Sequence, residues 1–84
     1  MIYSLKIKAS AAKSLGKIAK PDRLRLIEAI DTLKTKPLLG TALKGEHMGL
    51  RRIRVGNYRV VYEVLDEELI ILVVRVGHRP EVYR

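Results

Sequence analysis

Two short runs of arginine carry the clearest chemical signal in this sequence. Arg51, Arg52 and Arg54 stand just before Gly56-Asn57, and Arg59 stands just after it. A Gly-Asn pair between two β-rich runs is a two-residue hairpin signal. If Val55 pairs with Tyr58, then Arg54 lies opposite Arg59, Ile53 opposite Val60, and Arg52 opposite Val61. Side chains alternate between the two faces of a strand. Ile53, Val55, Tyr58, Val60, Tyr62 and Val64 therefore share a core face, while Arg52, Arg54, Arg59, Val61 and Glu63 share the other. Three arginines converge there. Like charges directly opposite on a sheet destabilise it by some tenths of a kcal/mol to about 1 kcal/mol. A fold has no need of such a cluster, whereas a bound phosphate backbone neutralises it. The competing reading is a solvated basic face on which Glu63 and Glu68 offset part of the charge. Arg51 falls on the core-face side and is read as structural, its stem lying along the sheet edge with the guanidinium reaching water. Arg75 fits either face, because the register across Asp66-Glu67-Glu68 is ambiguous by one residue.

The charge balance supports the phosphate reading. Seventeen Lys+Arg against nine Asp+Glu give a net charge of +8 in 84 residues. Such a field attracts polyanions: nucleic acid first, anionic membrane second, an acidic protein third. All eight lysines lie at or before Lys44, whereas seven of the nine arginines lie between Arg51 and Arg84. Lysine is a solvated point charge, and arginine is a planar fork that grips phosphate through two bonds. The first half thus reads as a basic surface and the second as a phosphate site. Without cysteine there is no disulfide, thiolate metal site or cysteine nucleophile, which fits a reducing cytoplasm. His47 and His78 lack carboxylates at ligand spacing, so neither a metal nor another cofactor is expected.

These residues need a scaffold. The length allows one domain over 1–84 with a small core, and 48% apolar residues exclude disorder. Residues 2–9 alternate with period two and read as a strand. Ser10 is the expected N-cap of a short helix with Ala11, Ala12, Leu15, Ile18 and Ala19 on one stripe. Gly16 weakens it slightly. Pro21 is expected at the first position of a second helix, with Leu24, Ile27, Ile30 and Leu33 buried and Pro37 stopping it. A loop with Gly40, Gly45 and Gly49 leads to strands over Leu50–Val55, Tyr58–Leu65 and Leu69–Val76. The expected fold class is α+β: strand-helix-helix followed by a three-strand antiparallel meander, with two helices packed on one face of the sheet. Met1–Leu5 runs straight into Lys6 and Lys8, and no apolar run approaches ~18 residues, so neither a leader nor a membrane span is expected.

Longer stretches then resemble a known family. Leu43-Lys44-Gly45, the run from Leu50 through Arg51-Arg52-Ile53-Arg54-Val55-Gly56-Asn57-Tyr58-Arg59-Val60-Val61 to Tyr62, Arg75-Val76-Gly77-His78-Arg79, and Glu81-Val82-Tyr83-Arg84 are similar to RelE of the RelE/ParE toxin superfamily. The likeness covers nearly the whole chain. The closing arginine and Tyr83 favour the RelE branch. The resemblance implies the toxin of a type II toxin–antitoxin system, neutralised by a cognate antitoxin. It implies a cytoplasmic endoribonuclease (an mRNA interferase) that cuts mRNA in the ribosomal A site and inhibits translation. In that chemistry the ribose 2′-hydroxyl attacks the adjacent phosphate and leaves a 2′,3′-cyclic phosphate.

Carried over by position, Arg59, Arg79 and Tyr83 are the implied catalytic residues. Arg52, Arg54, Lys44 and His78 are the implied RNA-binding residues. Arg52 and Arg54 stand where the best-known relatives carry lysine, and arginine keeps its proton, so both bind and neutralise phosphate. Arg59 and Arg79 are expected to stabilise charge on the pentacoordinate phosphate. Tyr83, its phenolate favoured by neighbouring cations, serves either as general base or as a stacking platform for a splayed base. His78, beside Arg79, is an auxiliary candidate. His47, in a glycine-bordered loop, is read as idle, and Tyr3, Tyr58 and Tyr62 as structural. The segment between Arg79 and Tyr83 is shorter than in the well-known relatives. Two other functions fit the fold: a ParE-like toxin that poisons DNA gyrase without nuclease activity, and a non-catalytic RNA- or ribosome-binding module.

Overall fold

The computed structural model describes residues 2–78. Strand β1 (Ser4–Ile7) leads into helices α1 (Ala9–Gly16) and α2 (Asp22–Thr32), followed by β2 (Thr41–Ala42), β3 (Arg51–Val55), β4 (Tyr58–Leu65) and β5 (Ile70–His78). They form one five-stranded sheet in the order β1-β5-β4-β3-β2. The α+β class, the element order and the antiparallel meander of β3, β4 and β5 are as expected. The sheet as a whole is mixed, because β1 returns beside β5 in parallel. The short β2, which pairs with β3, lies in what the sequence marked only as a glycine-bearing loop.

The hairpin register follows from its turn. Gly56 takes a φ of +61° at the first central position, which a residue with a Cβ adopts only with strain. Val55 pairs with Tyr58, Ile53 with Val60, Arg54 with Arg59 and Arg52 with Val61. The β4–β5 ladder is less regular. Its register shifts between Val61 and Tyr62, so that Tyr62 pairs with Val73 but Val61 pairs with Arg75, leaving Val74 as the extra residue. Such a bulge flips the alternation of every later side chain.

Both helices pack on one face, over a single core of Ala11, Leu15, Ile18, Leu26, Ile30 and Leu33 against Ile53, Val60, Tyr62, Ile71, Val73 and Val76. The details differ from expectation at the helix starts. Lys8 occupies the N-cap of α1 and Ser10 lies inside the helix; Pro21 occupies the N-cap of α2 rather than its first turn. Helix α2 ends at Thr32, five residues before Pro37. Its buried stripe is Leu26, Ile30 and Leu33, whereas Leu24 and Ile27 remain 54% and 46% exposed. The sequence offers both stripes at helical spacing. Packing against the sheet decides between them, and it brings Ala29 against the core beside Leu26 and Ile30. Ala12 and Ala19 likewise face outward.

Candidate functional site

The face of the sheet away from the helices carries the arginines in two adjacent rows. Thr41, Arg52, Val61 and Arg75 lie side by side across β2, β3, β4 and β5. The next row holds Arg54, Arg59 and Gly77. Cross-strand neighbours in such rows stand roughly 4.5–5.5 Å apart. Four guanidinium groups are thereby held on one surface, including Arg75, whose face the sequence left open. The bulge at Val74 decides it. Without the extra residue, Arg75 would pair with Val60 beneath the helices and Val76 would face water. Burying an unpaired guanidinium costs several kcal/mol, and with the bulge Val76 is buried while Arg75 is exposed.

Burial differs among the four. Arg54 and Arg75 are exposed, Arg52 and Arg59 half-buried, and the Nε of Arg59 lies fully below the surface. Val61 is only 2% exposed although it lies outside the helix-side core. Its same-face neighbours in the sheet are Arg52, Arg59, Arg75 and Glu63. The arginines thus surround a buried apolar residue, along which their stems can lie. Fixed cations in a partly dehydrated surface attract anions more strongly than the same charges in open water. The arrangement can hold consecutive phosphates and neutralise charge that builds up on one of them. Arginine does not release its proton, so a proton transfer there requires another group.

Arg51 points to the helix side, where its Nη1 donates to the Gly40 carbonyl at 2.7 Å. Its role is structural, as expected, but the guanidinium bonds to the chain. The same loop is tied from below by Tyr62, whose hydroxyl donates to the Pro37 carbonyl and accepts the Gly40 N–H, both at 2.8 Å. This clamp seats β2 beside β3 and places Thr41 next to Arg52. Burial pushes the Tyr62 hydroxyl above the ordinary tyrosine range, while the Gly40 amide and the Arg51 guanidinium draw it partly back. A folded-state value raised above the unfolded one means stability present at lower pH and lost as pH rises through the raised value. Thermal melts from neutral pH to above about pH 10 should therefore show a smaller alkaline loss for Tyr62→Phe than for the wild type. Equal losses would remove Tyr62 as the source. Tyr3 is also structural, its hydroxyl donating to Asp66 Oδ1 at 2.7 Å.

Two further candidates, Lys44 and His78, lie off this face or at its margin. Lys44 is exposed between β2 and a 3-10 turn at Gly45–His47. His78 ends β5 opposite Tyr58, on the helix side rather than among the arginines, and the two rings meet edge to face at 4.9 Å. Arg79 and Tyr83 lie outside the described residues. Among the described residues no group of His, Asp or Glu could hold a metal ion, and no helix is long and apolar enough to cross a membrane. The sequence left the face of Arg75 open and gave no sign of the role of Gly40 beyond a glycine in a loop.

Comparison with known proteins places these features in context. The family described as ParE toxin of type II toxin–antitoxin system, parDE, matches residues 5–83. Toxin RelG of Mycobacterium tuberculosis is 31% identical over 86 residues, covering 100% of this chain and 99% of its own. Among solved structures, the toxin–antitoxin complex RelBE2 from Mycobacterium tuberculosis superposes with a TM-score of 0.85 at 30% identity, covering 94% of this chain and 100% of the matched one. The archaeal RelE–RelB complex from Pyrococcus horikoshii superposes with a TM-score of 0.80 at 30% identity, covering 98% and 100%.

Proposed function

The chain belongs to the ParE family of type II toxin–antitoxin toxins, and from that premise we propose that it is an endoribonuclease that cuts mRNA on the ribosome. The observation that carries this reading is the convergence of Arg52, Arg54, Arg59 and Arg75 on one sheet face over the buried Val61. Four adjacent cations match the spaced phosphates of a nucleic-acid backbone, which arginine forks grip through two bonds each. They also suit an enzyme that stabilises a phosphorane.

In this reading the 84 residues act as one domain in the cytoplasm, where ribosomes are. Arg52, Arg54 and Lys44 grip the RNA backbone, with His78 at the end of β5 as a peripheral contact. Arg59 and Arg79 neutralise the phosphate while the adjacent 2′-oxygen bonds to it and the 5′-oxygen departs, taking a proton from solvent to become the 5′-hydroxyl. Tyr83 takes the 2′-hydroxyl proton or stacks on the splayed base. A cognate antitoxin covers the basic face, in keeping with relatives solved as RelB–RelE complexes. The decisive assay is a gel of ribosome-bound mRNA with and without the protein. New 3′ ends within the A-site codon are expected. Intact mRNA together with inhibited DNA gyrase would replace this reading with that of a ParE-like, gyrase-poisoning toxin.

The grip on RNA should weaken steeply with salt, because each arginine–phosphate contact releases a counterion. Three to five contacts on a single strand imply a log–log slope of roughly −2 to −3.5. A flat salt dependence of RNA or ribosome affinity would refute the phosphate grip.

A further inference from the structure

A second basic feature adjoins the arginine face. Strand β1 pairs with β5 only from Ile70 to Val73. The Lys8 N–H closes that ladder on the Val73 carbonyl, and the chain then turns into α1 at Ala9. From Val74 onward the outer edge of β5 has no neighbouring strand among the described residues. Between this edge and α1 runs an open groove of about 430 Å³, lined by Lys8, Ser10, Ala11, Ser14, Arg75 and Gly77 together with the flanking valines. That volume lies within the roughly 300–1,000 Å³ typical of small-ligand clefts. The groove is open because the α1 residues facing β5 are small.

Among the described residues its polar lining is two cations and two hydroxyls, without a carboxylate. Arg75 belongs both to this groove and to the row that contains Arg52 and Val61. A strand lying across the arginine rows from β3 to β5 therefore reaches Arg75 at the sheet edge, and rounding that edge brings it into the groove. We propose that the groove between α1 and the β5 edge is a nucleotide subsite that receives the next residue of the single-stranded RNA held by the arginine face. Lys8 and Arg75 bracket its phosphate. The hydroxyls of Ser10 and Ser14, each able to donate and accept, meet ribose or base edges. This assignment rests on the arginine face being an RNA surface. A protein strand added to the β5 edge is a different occupant. The two cations and two hydroxyls of the lining, beside apolar Ala11, Val74 and Val76 on which a base can rest, favour the nucleotide.

The test is equilibrium binding of the full chain, at low salt, to labelled single-stranded RNA of two lengths. A short oligomer of about three nucleotides is covered by the arginine rows; a longer one of about eight reaches the groove. Lys8→Gln removes a cation, and Ser14→Tyr fills the groove from an exposed helical position; both keep the fold, which thermal melts verify. Both variants are expected to weaken the longer oligomer about three- to ten-fold and to leave the short one unchanged. Lys8→Gln should also reduce the salt slope on the longer oligomer by about 0.7. Arg54→Ala, on the arginine face, should weaken both lengths. If the groove variants bind both lengths like the wild type while Arg54→Ala weakens both, the subsite is overturned and the arginine face stands. If Arg54→Ala also changes nothing, or the wild type holds no RNA, the arginine-face reading falls and takes the subsite with it. If Ser14→Tyr loses a co-purifying protein partner while binding RNA normally, the groove belongs to an added protein strand.

Discussion

Replacing Arg59 with alanine is expected to slow single-turnover cleavage of ribosome-bound mRNA by roughly 10²–10³-fold, the usual loss when one well-placed charge-stabilising donor is removed. Binding should fall far less. The reason lies in where Arg59 stands. It is on β4, flanked by Arg54 on β3 and Gly77 on β5, and it is half-buried with its Nε below the surface. A cation held in that way is already oriented and partly dehydrated, so it stabilises new charge on a phosphate without reorganising. Arg54 is exposed. Arg54→Ala and Arg52→Ala should chiefly weaken affinity. Tyr83→Phe completes the series, since it keeps the ring and removes only the hydroxyl. A large loss of cleavage with unchanged binding identifies a general base; near-wild-type cleavage leaves Tyr83 as a stacking platform. If Arg59→Ala cuts at the wild-type rate, transition-state stabilisation does not reside on this face.

Gly40→Ala should strongly destabilise the fold. An added Cβ at Gly40 would stand 2.6 Å from the Arg52 carbonyl oxygen, 2.7 Å from the Tyr62 hydroxyl and 2.8 Å from Tyr62 Cε1. None of these is the free end of a flexible chain. One is sheet backbone, and the others belong to a fully buried ring. The loop must therefore lift away, straining or breaking the bonds from Tyr62 and Arg51 to Gly40. Overpacking and the lost hydrogen bonds together imply a destabilisation of about 2–4 kcal/mol. For a domain of this size that corresponds to a fall in Tm on the order of 10–30 °C. Gly16→Ala is the matching control. Its Cβ would meet nothing within 4 Å, and alanine is the better helix former, so a gain of up to about 1 kcal/mol is expected. Thermal melts of the two variants settle the point; similar Tm values would mean that the loop at Gly40 adapts freely.

Local patterns in the chain were sufficient for much of the architecture. Gly56-Asn57 set the hairpin register, because the turn allows only one pairing of Val55 with Tyr58, and alternation then assigned Arg52, Arg54 and Arg59 to one face. The element order and the class followed from where period-two and helical spacings begin and end. The family was legible too, in the run around Tyr58-Arg59-Val60-Val61-Tyr62. Three features required the tertiary structure. Either apolar stripe of α2 satisfies helical spacing, and only packing against the sheet selects Leu26, Ala29 and Ile30 over Leu24 and Ile27. The partners of Gly40 lie 22 residues away at Tyr62 and 11 away at Arg51, so no local pattern could announce the clamp. Arg75 depends on a single bulged residue. Val73-Val74-Arg75-Val76 reads as a strand in either register, and a one-residue slip exchanges its faces. The choice between burying Val76 and burying Arg75 is made by desolvation, which acts only once helices and sheet have closed over the core.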